Sequence, residues 1–242
     1  MTQVKKPVGF NRKVTLQQLE RTLEEARCGT NLSKIYQILD EALAKEVRRD
    51  NSRKKVITIL VKIWYRIPKN LVPLRQRAIE LASLIDPAER VLLHWGMAML
   101  AFPFFRDVAH EMGTLLALQG EAGSGQIGRK IKGLYGERRH VEVAITAVLS
   151  SMKAWGIVEA GTDHVYRLRE SLAVERPELK AWIIEVLLRA YEQQWMAMEL
   201  IPTTPSLFPF RFSLHVHELE QPRLQLVRQG GNMTMVGVMS GS

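Results

Sequence analysis

The fold is decided by the stretch GSGQIGRKIKGLYGERRHVEVAITAVLSSMKAWGIVEAGTDHVYRLR, residues 123–169. Its first part, residues 123–136, is rich in glycine and basic side chains, and we expect these glycines to serve as turn and approach residues. Residues 137–156 carry apolar side chains at intervals of three and four, which predicts an amphipathic helix. Ile157–Leu168 has the pattern of two short strands around a turn at residues 160–163. The stretch therefore predicts helices closed by a β-hairpin.

The residues before this stretch predict helices. Thr15 and Asn31 are each placed to cap a helix whose leucines and isoleucines recur at helical spacing. Val56–Trp64 is nearly all apolar, which fits a buried helix, with a strand as the alternative. The Asp86-Pro87 pair is a typical helix start, and Pro103 separates that helix from the next one.

The residues after the hairpin predict one more helix and a small β segment. Pro177–Leu200 has the spacing of an amphipathic helix. Phe210–His217 alternates between apolar and polar residues, which predicts a strand. Arg223–Arg228 and Met233–Val238, joined through residues 230–232, predict a second hairpin.

The composition is that of a globular protein with a single cysteine. The 242 residues carry 34 Lys and Arg against 25 Asp and Glu, a formal net charge of +9. One cysteine excludes an internal disulfide and a multi-cysteine metal cage. The N-terminal residues lack the apolar run of a secretory signal, and the longest apolar stretch, Val91–Phe105, is shorter than the ~20 residues that span a bilayer. We therefore expect a cytoplasmic protein without a membrane partner.

The excess positive charge lies in the N-terminal third. Residues 1–70 hold 16 Lys and Arg against 7 Asp and Glu, whereas residues 71–242 hold 18 of each. Attraction to a polyanion would therefore come mostly from the N-terminal third, with solvated helix faces as the alternative. The densest cluster, residues 45–55, is a candidate second nucleic-acid surface or a solvated helix end. Its candidate residues are Arg48, Arg49, Arg53, Lys54 and Lys55.

No motif indicates an enzyme. Gly123–Gly128 matches GxGxxG, but a helical segment rather than a strand precedes it, and no acidic residue follows at the required distance. The same run lacks the hydroxyl residue of a phosphate-binding loop. His215 and His217 share one face of the predicted strand without a third metal ligand, so we interpret them as solvated. His94 is interpreted as a core or interface histidine. We expect no catalytic residues, no metal and no cofactor.

The order of elements in residues 123–168 resembles the winged helix-turn-helix family. The resemblance rests on YGERRHVEVAITAVLSSMKAWGIVEA and on the returning strand HVYRL. It implies that the central helix enters the major groove of double-stranded DNA, with its first turns nearest the bases. The candidates for base contact are Arg138, Arg139, Glu142 and Thr146. The candidates for phosphate or minor-groove contact are Arg129, Lys130, Lys132, Lys153, Arg167 and Arg169.

A narrower resemblance includes the residues upstream. HWGMAMLAFPFFRDVAHE, residues 94–111, between a helical N-terminal region and the winged helix is similar to the BrxA family of bacterial BREX phage-defence systems. That resemblance implies a small DNA-binding accessory protein that works with larger defence subunits.

We therefore predict a mainly α protein in three parts. A helical domain spans residues 1–102, a winged helix-turn-helix spans residues 103–172, and a long helix with a small antiparallel β segment spans residues 173–242. The expected function is non-catalytic binding of double-stranded DNA, as an accessory subunit of a phage-defence or DNA-processing complex. The alternatives are a transcriptional regulator and a protein-interaction module without affinity for DNA. The oligomeric state stays open.

Overall fold

Helices form the N-terminal part of the chain. The computed structural model describes residues 6–229 and 233–239. The first five helices are α1 (Leu16–Arg27), α2 (Leu32–Leu43), α3 (Asp50–Trp64), α4 (Val72–Ala82) and α5 (Arg90–Ala101). Thr15 and Gln18 form a reciprocal capping box at α1, and the Asn31 side chain accepts the Lys34 N–H at α2. Both predicted caps are confirmed, and the apolar segment at 56–64 is helical.

The predicted helix start, with Asp86 as N-cap and Pro87 as the first helical residue, is wrong by three residues. The Asp86 N–H donates to the Glu89 carboxylate at 3.2 Å, and the Asp86 carbonyl accepts the N–H groups of Glu89 and Arg90. These hydrogen bonds close a separate turn, so the helix α5 begins only at Arg90. Pro103 separates α5 from the next helix, as predicted.

A helix–strand–helix–helix–hairpin unit follows. Its elements are α6 (Pro103–Gln119), β1 (Ala122–Gly123), α7 (Ser124–Tyr135), α8 (Arg139–Ala154), β2 (Val158–Ala160) and β3 (Val165–Leu168). The strand β3 lies between β1 and β2, antiparallel to both, with Ala122 opposite Tyr166 and Glu159 opposite Arg167. The predicted hairpin is confirmed, and β1 extends it to three strands.

The expectation that the glycine-rich run forms approach and turn backbone is wrong for most of the run. Gly125, Gly128 and Gly133 lie inside the helix α7, where their backbone groups belong to the helix. Apolar side chains explain the helix, because Ile127, Ile131 and Tyr135 repeat every four residues and are all buried. Burial of this face outweighs the low helix propensity of the glycines.

The C-terminal part contains one helix and short strands. Its elements are β4 (Leu172–Ala173), α9 (Pro177–Ala190), β5 (Trp195–Ala197), β6 (Phe210–Arg211), β7 (Leu224–Gln229) and β8 (Met233–Val238). The strands β5, β8 and β7 form an antiparallel sheet in that order, whereas β4 and β6 pair in parallel. The pairing of β7 with β8 confirms the second predicted hairpin, whose connecting residues 230–232 lie outside the described part of the chain.

The predicted helix at 177–200 is wrong in its last third. The helix α9 ends at Ala190, and residues 195–197 instead pair with β8. Trp195 lies opposite Gly237, and a Cβ at Gly237 would come within 2.5 Å of the indole ring. This pairing between residues distant in sequence overrides the local helical spacing of Trp195 and its neighbours.

The predicted strand at 210–217 is also wrong over most of its length. Only Phe210 and Arg211 are in a strand, and Val216–Leu219 form a turn of 3-10 helix. Glu218 in this turn accepts a hydrogen bond from the buried Lys180 ammonium at 2.6 Å. This ion pair holds the segment on α9 and prevents it from continuing as an extended strand.

The hydrophobic core crosses both predicted boundaries, at 102/103 and at 172/173. Buried residues from all three predicted parts belong to one connected cluster. Trp95 on α5 contacts the rings of Phe105, Trp155 and Phe210 edge-on, and its indole N–H donates to the Ser206 carbonyl at 2.9 Å. The division into three domains stays a prediction.

Candidate functional site

The helix α8 presents one exposed face. Its opposite face is buried through residues that recur at helical spacing, among them Val141, Ala144, Val148 and Met152. The exposed face carries Arg139, Glu142, Val143, Thr146 and Lys153. Thr146 donates its hydroxyl to the Glu142 carbonyl at 3.1 Å, as is common for threonine within a helix. Four of the predicted contact residues therefore share this face.

Arg138 is placed differently from the rest of the predicted base-contact set. It is the N-cap residue of α8 and is half-buried. Its guanidinium donates to the Tyr135 carbonyl at 2.7 Å and to the Lys6 carbonyl at 3.4 Å. These contacts turn the side chain toward the connection between α7 and α8, whereas Arg139 is exposed.

An ion pair joins α7 to α8. The Lys132 ammonium lies 2.6 Å from the Glu142 carboxylate. This hydrogen bond lowers the pKa of Glu142 and raises the pKa of Lys132 relative to their ordinary values. Both groups are charged at neutral pH and largely neutralise each other.

A groove runs between α7, α8 and the β2–β3 hairpin. Its walls include Gly125, Gly128 and Arg129 of α7, Thr146 of α8 and Tyr166 of β3. The space beside Gly128 and Gly133 of α7 is open, since a Cβ atom at either position would meet no atom within 4 Å. Arg129 and the neighbouring Lys130 are both exposed.

The hairpin tip has an unusual backbone. Asp163 and His164 both adopt positive φ angles, 57° and 58°, and the Gly161 N–H closes the tip on the Val165 carbonyl at 2.8 Å. On β3, the Arg167 guanidinium is 2.6 Å from the Glu121 carboxylate. Arg169 follows the strand and is exposed.

Several cations of this unit have no carboxylate partner. Two of the predicted contact residues, Lys132 and Arg167, are in ion pairs. Among the residues that the structure describes, no carboxylate lies within 4.0 Å of the side chains of the other cations on the exposed surfaces. These are Arg129, Lys130, Arg139, Lys153 and Arg169. The unit therefore presents unneutralised positive charge on α7, on α8 and after the hairpin.

The second predicted basic surface is partly neutralised. The Arg53 guanidinium lies 2.7 Å from Asp40 and 3.1 Å from Asp50, and Lys54 lies 2.8 Å from Asp50. Arg48, Arg49 and Lys55 are exposed, so they are the residues of this cluster that can offer charge.

Sequence reasoning missed a segment that contacts α8. We call residues 6–14 the N-terminal strap. Its Val14 N–H donates to Ser151 Oγ at 2.9 Å, and the Trp155 indole N–H donates to the Val14 carbonyl at 2.9 Å. Phe10 is fully buried and packs edge-on against Phe102, with ring centroids 5.3 Å apart. The available signal was the pattern of Val8, Phe10 and Val14 among basic residues, which is too short to predict an element.

A buried polar cluster lies in the helical N-terminal part. His94 is fully buried, its Nε2 is 2.9 Å from Glu20, and Arg90 lies 3.1 Å from the same carboxylate. Burial lowers the pKa of His94, and the hydrogen bond with Glu20 only partly offsets this. His94 is therefore a core histidine, as predicted.

The two C-terminal histidines are exposed. His215 and His217 stack with their centroids 5.7 Å apart. Across residues 6–229 and 233–239, no group of three or more His, Cys, Asp and Glu is arranged to hold a metal ion. Over the same residues, no helix combines the length and the apolar character that crossing a bilayer requires.

Comparison with known proteins finds no match among protein-family models, curated proteins or solved structures.

Proposed function

We propose that this chain is a non-catalytic double-stranded DNA-binding protein of the winged-helix type, with α8 as the helix that enters the major groove. The observation that supports this most is the exposed face of α8, which carries Arg139, Thr146 and Lys153 beside the open groove to α7 and the hairpin. The order α6, β1, α7, α8, β2, β3 is the order of elements expected of such a fold.

The dimensions of α8 fit the groove. A helix with its side chains is about 10–12 Å across, and the major groove of B-DNA is about 12 Å wide. In this pose Arg139, in the first turn, is nearest the base edges and can bind guanine O6 and N7. Thr146 follows two turns later, and Lys153 at the far end of α8 reaches a phosphate.

The α7–α8 ion pair gives Glu142 a role other than base recognition. Its carboxylate is engaged by Lys132, so in this proposal it holds the two helices at their spacing. Arg129 and Lys130 then contact the DNA backbone from α7, and Arg169 contacts it beside the hairpin.

The proposed biological setting follows from the resemblance of residues 94–111. We propose an accessory subunit of a bacterial phage-defence or DNA-processing complex that works with larger subunits in the cytoplasm. Such a subunit needs affinity for DNA but little sequence preference, whereas a transcriptional regulator needs a preferred site. A protein-interaction module needs no affinity for DNA.

A binding titration tests the proposal. Fluorescence polarisation of a labelled duplex is measured at about 50 and about 200 mM salt for the wild type and for Arg139→Ala/Lys153→Ala. We expect the wild type to bind at low salt and the double variant to bind at least about 10-fold more weakly. The matched control is Lys34→Ala/Arg211→Ala, which removes two exposed cations elsewhere and should bind like the wild type.

The outcomes separate the candidate functions. Absence of binding by the wild type at low salt contradicts the DNA proposal and favours the interaction module. Equal weakening in both double variants shows that α8 is the wrong surface. Binding with steep salt dependence and no preference among duplexes supports the accessory role, and a strong preference for one sequence supports the regulator.

A further inference from the structure

The Val14 end of the N-terminal strap lies on the flank of α8 that faces away from the groove to α7. At 100° per residue, Ile145 and Leu149, which line the groove to α7, lie about 100° and 60° to one side of Thr146. Ser151, which binds the strap, lies about 140° away in the opposite sense. Near Ser151, the exposed face of α8 is therefore bordered by the groove to α7 on one side and by the strap on the other.

The strap also reaches both ends of α8. Its Lys6 carbonyl accepts a hydrogen bond from Arg138 at the N-terminal end, and the Lys6 ammonium lies 5.6 Å from the centre of the Tyr135 ring. Its Val14 backbone is bound to Ser151 and Trp155 at the C-terminal end. The strap is thus positioned along the whole length of the helix.

The strap is held rigidly and is basic. Val8, Phe10 and Val14 are buried in the core, which fixes the backbone. Residues 6–14 contain three cations, Lys6, Arg12 and Lys13, and no acidic residue. Among the described residues, none of these three side chains has a carboxylate within 4.0 Å. Lys6 and Lys13 are exposed and Arg12 is half-exposed.

We infer that the strap is a second DNA-contacting element, which binds backbone phosphates beside α8. This inference rests on the proposed insertion of α8 into the major groove. Because the inserted helix nearly fills the groove, the two DNA backbones lie along its two flanks. The cations of α7 meet one backbone, and Arg12 and Lys13, next to Val14, meet the other. Lys6, which lies over Tyr135, meets a phosphate at the N-terminal end of α8. The strap, held by its buried side chains, needs little ordering on binding.

The salt dependence of binding measures this contribution directly. Each phosphate contact adds about 0.9 to the negative slope of log K against log [salt]. The test compares the wild type with Lys6→Gln/Arg12→Gln/Lys13→Gln in titrations at several salt concentrations. We expect the magnitude of the slope to fall by about 2 to 3 in the triple variant. Its fold should persist, because the hydrogen bonds of the strap to α8 come from the backbone of Val14.

The control removes the same charge elsewhere. Lys34→Gln/Lys69→Gln/Arg228→Gln changes three exposed cations on α2, before α4 and on β7. An unchanged slope in the strap variant, with a wild type that binds, overturns the inference and leaves the proposed function standing. Equal falls in both triple variants also overturn it, because net charge alone then explains the effect. A wild type that binds no DNA at low salt contradicts the proposed function itself.

Discussion

At the scale of residues, the two adjacent arginines at the start of α8 have different surroundings. Arg138 is half-buried and donates to the Tyr135 carbonyl, whereas Arg139 is exposed. We expect Arg139→Ala to weaken DNA binding about 10-fold with little effect on stability, because a bidentate arginine–guanine contact contributes about 1–3 kcal/mol. We expect Arg138→Ala to lower the free energy of unfolding by about 1–2 kcal/mol. Polarisation titrations measure the effect on DNA binding, and urea denaturation measures the effect on stability. Weaker binding in Arg138→Ala together with lower stability in Arg139→Ala would contradict the proposed roles.

The buried His94 makes stability depend on pH. Burial lowers its pKa in the folded state below the value near 6.5 of the unfolded chain, so acid favours the unfolded state. Stability is therefore fully present above about pH 6.5 and is lost below it, by up to about 1.4 kcal/mol per pH unit. The groups around the imidazole are Glu20, Arg90 and the Trp64 ring. Although burial raises the pKa of Glu20, hydrogen bonds from His94 and Arg90 hold it below its usual value, so Glu20 does not titrate in this range.

The measurement is urea denaturation at about pH 7.5 and about pH 5.5. We expect the wild type to lose stability at the lower pH and His94→Gln to lose much less. His140→Gln is the control, because His140 is exposed and its removal should leave the wild-type dependence intact. A His94 variant as acid-sensitive as the wild type would assign the effect to another group.

At the scale of elements, one buried hydroxyl of α8 forms a hydrogen bond with the backbone of the strap. Ser151 is fully buried and accepts the Val14 N–H. Ser151→Ala leaves that N–H buried without a partner, so we expect the free energy of unfolding to fall by about 1–3 kcal/mol. Ser150→Ala changes the neighbouring, half-exposed serine and should alter stability by less than about 0.5 kcal/mol. Equal effects in denaturation curves would show that the buried hydrogen bond contributes nothing.

Replacing two helical glycines by alanine should change the stability of the protein in opposite directions. Gly113 of α6 touches the segment after α9 so closely that a Cβ would overlap the Pro205 carbonyl. Gly113→Ala should therefore cost about 3 kcal/mol. Gly133 of α7 has open space around its Cβ position, and Gly133→Ala should stabilise the protein by about 0.5–1 kcal/mol. Thermal unfolding of the two variants measures whether each change raises or lowers stability relative to the wild type.

Local signals predicted the elements that local forces determine. Thr15 and Asn31 mark true helix starts, and α8 and the β2–β3 hairpin follow from spacing and turn residues within a few positions. The errors at 195–197 and 212–216 have a different cause, because β8 pairs with Trp195 and Lys180 binds Glu218. Spacing along the chain holds no information about such distant partners. For the same reason the sequence put Arg138 and Arg139 in one candidate set and missed the strap.

At the scale of the whole molecule, the shared core predicts one unfolding transition. The five tryptophans are spread over the three predicted parts, and Trp64, Trp95, Trp155 and Trp182 are all buried in the same cluster. We expect tryptophan fluorescence and far-ultraviolet circular dichroism to change together as denaturant is added. Separate transitions would instead support the predicted division at 102/103 and 172/173.

The hydrogen bonds between the strap and α8 have a consequence for synthesis on the ribosome. Val14 bonds to Ser151 and Trp155, partners that lie 137 and 141 residues later in the chain. At about 5–20 residues per second, the ribosome needs about 7–28 s to make those partners after Val14. During that time Val8, Phe10 and Val14 have no finished surface to cover them. The nascent chain therefore exposes the apolar side chains of the strap, which chaperones can bind until α8 emerges.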